Sequence, residues 1–129
     1  MKKDFKKWHT RKEHLDLAGG RPNFHIRDIW YCALGTNVGF EQDGQGEDFL
    51  RPVIIFRKFN NEIFWGIPLT KTEKDGKYYF QFSFIAGEKS AAILSQIRLI
   101  DAKRLSHHIG VISEADFMLL TKKLKDLIP

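Results

Sequence analysis

The chain has 129 residues, 21 Lys and Arg against 16 Asp and Glu, a single cysteine, and 43% apolar residues. That length holds one domain, and that apolar fraction excludes global disorder. The lone Cys32 excludes an internal disulfide and a cysteine-based zinc cage, and no window approaches the roughly 18 consecutive apolar residues of a membrane span. The net charge of +5 is unevenly placed: residues 1–27 carry eight basic and three acidic side chains, whereas residues 28–129 carry 13 of each. The body is neutral, so phosphate binding there must rest on particular residues rather than on bulk charge. The N-terminal MKKDFKKWHTRKEH lacks the apolar stretch of a secretory leader, which makes a soluble cytoplasmic protein the expectation.

Residues 2–17 read as a helix with Phe5, Trp8, Lys12 and Leu15 near one face, closed by Gly19-Gly20-Arg21-Pro22. Residues 1–24 then form a basic helical arm and residues 25–129 the folded domain. Asp28–Leu34 is rich in aromatic and β-favouring residues and predicts a strand. Residues 35–50 hold four glycines and four acidic groups and read as a long loop. Arg51–Phe59 and Glu62–Thr70 flank Asn60-Asn61, a hairpin signal. Lys77–Ile85 is a strand after the Asp75-Gly76 turn. Ala91–Ile100 predicts one further extended segment, with Gln96 and Arg98 on one face and Ile97 and Leu99 on the other. His107–Ile112 is a short strand. Ser113–Ile128 is a helix, with Ser113 as N-cap and Phe117, Leu120, Leu124 and Leu127 as its apolar stripe.

Five or six strands and a closing helix predict a mainly β fold, a small, strongly curved antiparallel β-barrel with a C-terminal helix and the N-terminal helical arm. No strand–helix alternation and no Gly-rich phosphate loop is present, which excludes Rossmann and P-loop architectures.

Three ordered segments resemble the MazF/PemK toxin family of bacterial toxin–antitoxin systems. They are IWYCALGTNVGFEQ at 29–42; RPVII at 51–55 with IPLT at 67–70; and QIRLID at 96–101 with KRL at 103–105 and the final helix. The resemblance covers about residues 25–127. It implies an SH3-like barrel, a homodimer, a metal-independent endoribonuclease without cofactor cutting single-stranded RNA, and inhibition by a cognate antitoxin. Two features depart from the family pattern: the eight residues between Gln42 and Arg51, where about three are usual, and Ser95, where many relatives have an acidic residue.

Metal-free RNA cleavage uses the substrate's own 2′-hydroxyl as nucleophile. It requires a base for that proton, stabilisation of the phosphoryl oxygens and an acid for the leaving oxygen. The resemblance makes Arg51 a catalytic residue. Its forked donors suit charge stabilisation, whereas a guanidine with a pKa above about 12 is a poor base. The bland alternative is a surface arginine paired to the acidic 43–48 loop. Thr70 is the second catalytic residue the resemblance implies; read alone, it is a β-branched strand end. Glu41 is the candidate base, with a solvated loop carboxylate as the alternative.

Gln42, His25, Lys71, Gln96 and Arg98 are the candidate substrate-binding residues. For Arg98, an ion pair with Asp101 is the competing expectation. Phe40, Phe49, Trp65 and Tyr79 are of a type that stacks unpaired bases, although most aromatics here must pack the core. Of the histidines, His107 and His108 point to opposite faces of one strand, and His9 and His14 lack a third metal partner. The arm is expected to pack Phe5, Trp8 and Leu15 on the barrel and to present its lysines to RNA. Two other function classes remain open: a gyrase inhibitor of the same fold, disfavoured because the tryptophans stand at 8, 30 and 65 rather than in a C-terminal tail, and an inactive RNA-binding barrel.

Overall fold

Val53-Ile54-Ile55 is apolar at three consecutive positions, a pattern a strand needs only when both of its faces are covered. A computed structural model, describing residues 21–34 and 50–129, has that arrangement. The helix expected over residues 2–17 and nearly all of the loop expected over 35–50 lie outside the described residues. Among the described residues there are seven strands: β1 (Asp28–Ala33), β2 (Leu50–Lys58), β3 (Ile63–Thr70), β4 (Tyr79–Ile85), β5 (Glu88–Ile93), β6 (Arg98–Asp101) and β7 (Leu105–Val111). The α-helix among the described residues, α1 (Glu114–Lys125), follows β7. The sheet order is β4-β5-β3-β2-β1-β7, with β6 also paired to β3, and every pairing is antiparallel. The sheet curls into a half-barrel. Among the described residues no helix is long and apolar enough to cross a membrane.

Strand alternation divides the core in two. Trp30, Cys32, Val53, Ile55, Phe64, Ile100 and Leu105 pack on one face together with Phe24. Phe24, the last residue of the expected arm, is fully buried. Ile29, Ile54, Ile67, Leu69 and Phe82 pack on the other face, where Leu120 of α1 is fully buried and Phe117 and Leu124 lie against the same cluster. The expected helix stripe is therefore the face that docks. Ser113 caps α1, its hydroxyl accepting from the Asp116 N–H at 3.1 Å.

Asn60 builds the β2–β3 hairpin by accepting the Glu62 and Ile63 backbone N–H groups on its side-chain oxygen, at 2.7 and 3.0 Å. Gly76 adopts φ +109°, and its carbonyl accepts from the Tyr79 N–H at 3.3 Å, ending the turn before β4. Gly66 is required for a different reason. A Cβ there would sit 2.6 Å from a Val53 methyl and 2.7 Å from the Ile100 Cδ1, so any side chain would overpack that face.

The single extended segment expected over Ala91–Ile100 is interrupted. β5 pairs Ala92 with Leu69, β6 pairs Arg98 with Gly66, and a 3-10 turn at Leu94–Gln96 separates them. Both pieces run along the same edge of β3. The chain needs five residues (93–97) where β3 needs two (67 and 68), and the surplus is taken up in the turn. The turn also buries Leu94 against Ile54 and Ile67. Alternation between Gln96 and Arg98 is lost there and resumes only within β6.

Asp101 does not take Arg98 as its partner. Arg21 grips it through Nε at 3.0 Å and Nη2 at 3.3 Å, while the Lys103 N–H donates to the same carboxylate at 2.8 Å. The alternative expected for Arg98 thus fails because a guanidinium 80 positions away in the chain reaches Asp101 first. The Arg21 hydrogen bond holds the Asp101 carboxyl below the usual carboxylate range; partial burial opposes this, and the Lys103 N–H reinforces it. A carboxylate whose pKa is lower in the folded than in the unfolded chain stabilises above its unfolded value of about 3.9 and loses that contribution as pH falls through the folded one. Asp101→Asn keeps an oxygen for Lys103 but cannot titrate. Its melting temperature should therefore fall less than the wild type's between pH 7 and pH 3. An equal fall in both proteins would remove Asp101 from the acid response.

Candidate active site

β1 ends and β2 begins at one edge of the half-barrel, and the antiparallel register sets Cys32 opposite Arg51 there. On its other side β2 pairs with β3 from Val53 opposite Pro68. Arg51 and Thr70 are each two residues beyond that pair, so they stand at the ends of adjacent strands. Arg51 alternates with Val53 and Ile55, which turns its side chain toward the first core face. It is 2% exposed, an unusual burial for a guanidinium. Its Nη2 donates to the Leu69 carbonyl at 2.9 Å, which ties the arginine to the residue before Thr70. Burial pushes the Arg51 pKa down from the usual guanidinium range, yet a guanidine stays cationic at neutral pH.

Thr70 is buried as well, and its Oγ1 accepts from the Thr72 N–H at 3.1 Å. That bond uses an oxygen lone pair and leaves the hydroxyl proton as a donor. No acceptor among the described residues takes it. Together, a buried cation with a forked set of donors and a neutral O–H donor suit an anionic, tetrahedral oxygen cluster.

The remaining candidates are distributed unevenly. Lys71 is exposed directly after Thr70, Gln96 is half-buried in the 3-10 turn, and Arg98 is exposed on β6 opposite Gly66. Glu41, Gln42, Phe40 and Phe49 lie outside the described residues, on the segment that leaves β1 and returns at Leu50. His25 stands before the start of β1, at the opposite end of that strand from Arg51. Its backbone N–H donates to Asp28 Oδ2 at 2.8 Å.

Three features went unread in the sequence, one at the start of β1 and two at its Arg51 end. Asp28 is a buried carboxylate that accepts from the Trp30 indole at 3.3 Å and faces His108 Nε2 at 3.4 Å. Arg104, on the turn before β7, donates through Nη1 to the Ala33 carbonyl at 2.9 Å. Cys32 is fully buried, and burial pushes its thiol up to about 12 against the opposing charges of Arg104 and Arg98, so it is no nucleophile at neutral pH. Only strand register and a contact between distant segments create these arrangements.

A separate apolar groove of about 1020 Å³ runs between α1 and the sheet, lined among others by Ile26, Phe56, Trp65, Ile97 and Phe117. Neither Arg51 nor Thr70 lines it. Its occupant would meet Arg57, Lys58 and Lys125 at the same surface.

The comparisons with known proteins bear on the family and the fold. A family model for the PemK-like, MazF-like toxins of type II toxin–antitoxin systems matches residues 26–128. No curated protein matches the chain. Among solved structures, the toxin MazF-mt6 of Mycobacterium tuberculosis is similar at a TM-score of 0.60 and 16% identity, over 78% of this chain and 94% of that one. An endoribonuclease in complex with its cognate antitoxin, from a mycobacterial species, gives 0.64 and 13% over 83% and 98%. MazF of Deinococcus radiodurans gives 0.63 and 15% over 84% and 96%. At these identities the solved structures speak for the fold, and the family model speaks for descent. The half-barrel, its closing helix and a match spanning most of the chain make it a member of the PemK-like, MazF-like toxin family of type II toxin–antitoxin systems.

Proposed function

We propose that this toxin is a metal-independent endoribonuclease that cuts single-stranded RNA, acts as a homodimer and is restrained by a cognate antitoxin. The observation that carries the proposal is the buried Arg51 guanidinium tied to Leu69, the residue before Thr70, whose hydroxyl proton no acceptor among the described residues takes. In the reaction, the substrate's 2′-oxygen attacks the adjacent phosphorus, the bond from phosphorus to the 5′-oxygen breaks, and a 2′,3′-cyclic phosphate and a 5′-hydroxyl result. Negative charge grows on the non-bridging oxygens as phosphorus becomes five-coordinate. Arg51 donates to those oxygens from a site with little water, where its charge acts more strongly than on the open surface. Thr70 donates to one of them. Glu41 is the proposed acceptor of the 2′-proton, the departing 5′-oxygen takes its proton from solvent water, and Gln42, Lys71, Gln96 and Arg98 are the proposed contacts to the flanking chain.

Support for the antitoxin and the RNA comes from relatives: one similar structure is an endoribonuclease with its cognate antitoxin, and another is a MazE–MazF complex. The decisive experiment is cleavage of a labelled single-stranded RNA in EDTA. The downstream fragment should accept phosphate from a polynucleotide kinase without prior dephosphorylation, and the upstream fragment should carry a cyclic end. A strict requirement for Mg²⁺, or 5′-phosphorylated products, would rule this mechanism out.

A further inference from the structure

We infer that Arg104 and Arg98 form a phosphate subsite beside Arg51, with Arg104 as its anchored member, binding the phosphodiester next to the one that is cut. The inference rests on the ribonuclease reading and adds Arg104 to it.

Position comes first. Leu105, Cys32 and Arg51 stand in a row across β7, β1 and β2. Neighbouring strands are about 4.8 Å apart, so the backbone next to Arg104 is roughly 10 Å from that of Arg51. Arg98 enters from the other direction. It alternates with Ile100, whose side chain packs on the same core face as Cys32, so Arg98 projects toward that face as well. Both guanidinium groups act electrostatically on the Cys32 thiol. Arg98 of β6 and Arg104 of the turn before β7 therefore both lie near Cys32, whose partner on β2 is Arg51.

Charge and orientation point the same way. The described ion pairs engage Arg21, His25, Arg27 and His108, and none involves Arg98 or Arg104. Exposed arginines with no carboxylate partner among the described residues, in a body whose net charge is zero, add positive potential at this edge. Arg104 is exposed but not loose, because its bond to the Ala33 carbonyl fixes the guanidinium at the end of β1. One of its five N–H donors is used in that bond, and the others remain for an anion. A preset fork loses less side-chain freedom on binding than a free one. The bland reading is a surface arginine that merely caps a carbonyl, and it predicts no dependence of RNA binding on residue 104.

The test uses a fluorescein-labelled 2′-O-methyl oligoribonucleotide, which lacks the nucleophile, with affinity read by anisotropy over a series of salt concentrations. Each lost contact to a single-stranded phosphate should reduce the salt slope by about 0.7. Arg104→Ala and Arg98→Ala should each show that reduction, and the double variant about twice as much. Arg104→Lys keeps the charge and should restore the slope while losing the bond to Ala33. Lys122→Ala, on the exposed side of α1, should leave the slope unchanged. On cleavable RNA, Arg104→Ala should raise KM severalfold and change kcat less than twofold. An unchanged slope in both Arg104→Ala and the double variant would overturn the subsite, as would a wild-type protein that does not bind the probe. Wild-type binding with the expected slopes but no RNA cleavage would instead overturn the ribonuclease reading and leave the subsite standing.

Discussion

Replacing Arg51 by alanine should lower kcat/KM on single-stranded RNA by roughly 100- to 1000-fold, the usual cost of removing one preorganised donor from a charge-stabilising site. The size of the effect follows from burial. At 2% exposure the guanidinium is already stripped of most water before substrate arrives. Little solvent reorganisation then accompanies the growth of charge on phosphorus. The same burial complicates the measurement, because Arg51 also serves the Leu69 carbonyl. Losing that donor should reduce stability by about 1–3 kcal/mol. Rates should therefore be compared at a temperature where both proteins are folded, by initial velocities in EDTA alongside thermal melts. Arg51→Lys separates the two effects further: it keeps a cation but loses the fork, and it should fall between wild type and alanine. A folded Arg51→Ala protein within threefold of wild type would remove this residue from the chemistry.

The largest effect on stability should come from Phe64→Ala, at about 3–5 kcal/mol. Phe64 is fully buried on β3, its ring centroid 5.3 Å from that of Phe24, and it pairs with Ile100 across to β6. Its ring is also one of the groups that crowd the missing Cβ of Gly66. Removing it opens a cavity between strand backbones that hydrogen bonds hold apart, so the site cannot easily collapse. A domain with a total stability of about 5–15 kcal/mol would lose a large fraction of it. The melting temperature should drop on the order of 15 °C or more. Phe59→Ala, at a residue 43% exposed, is the matching control and should cost under about 1 kcal/mol. Urea unfolding with unchanged m-values would make the comparison sound. A loss below 1 kcal/mol at Phe64 would mean that the core packs differently.

Much of the fold was legible because the physics is local. Period-two apolar runs, the Asn60 turn and the Ser113 cap each depend on residues within a few positions of one another. The family was legible for a related reason: its motifs are short runs that keep their order along the chain. The site was legible only in part. Arg51 and Thr70 were singled out by the family resemblance, but the bond to the Leu69 carbonyl needs the antiparallel register of β2 and β3. The 3-10 turn at Leu94–Gln96 escaped because the alternation of Gln96 and Arg98 with Ile97 and Leu99 reads as a continued strand, and only the unequal demand of β3 makes three residues surplus. Arg21 escaped as Asp101's partner because nothing in a sequence reports a contact across 80 positions.

The charge shows the division most clearly. By itself, the sequence determined that residues 28–129 are neutral and that the excess lies in the first 27 residues, since composition needs no geometry. Only the tertiary structure decided that Cys32 stands opposite Arg51 and within the electrostatic reach of Arg98 and Arg104, because elements far apart in the chain supply those three arginines. Electrostatic potential depends on distance rather than on sum. A neutral domain can therefore carry a concentrated cationic site, and strand register is what assembles it.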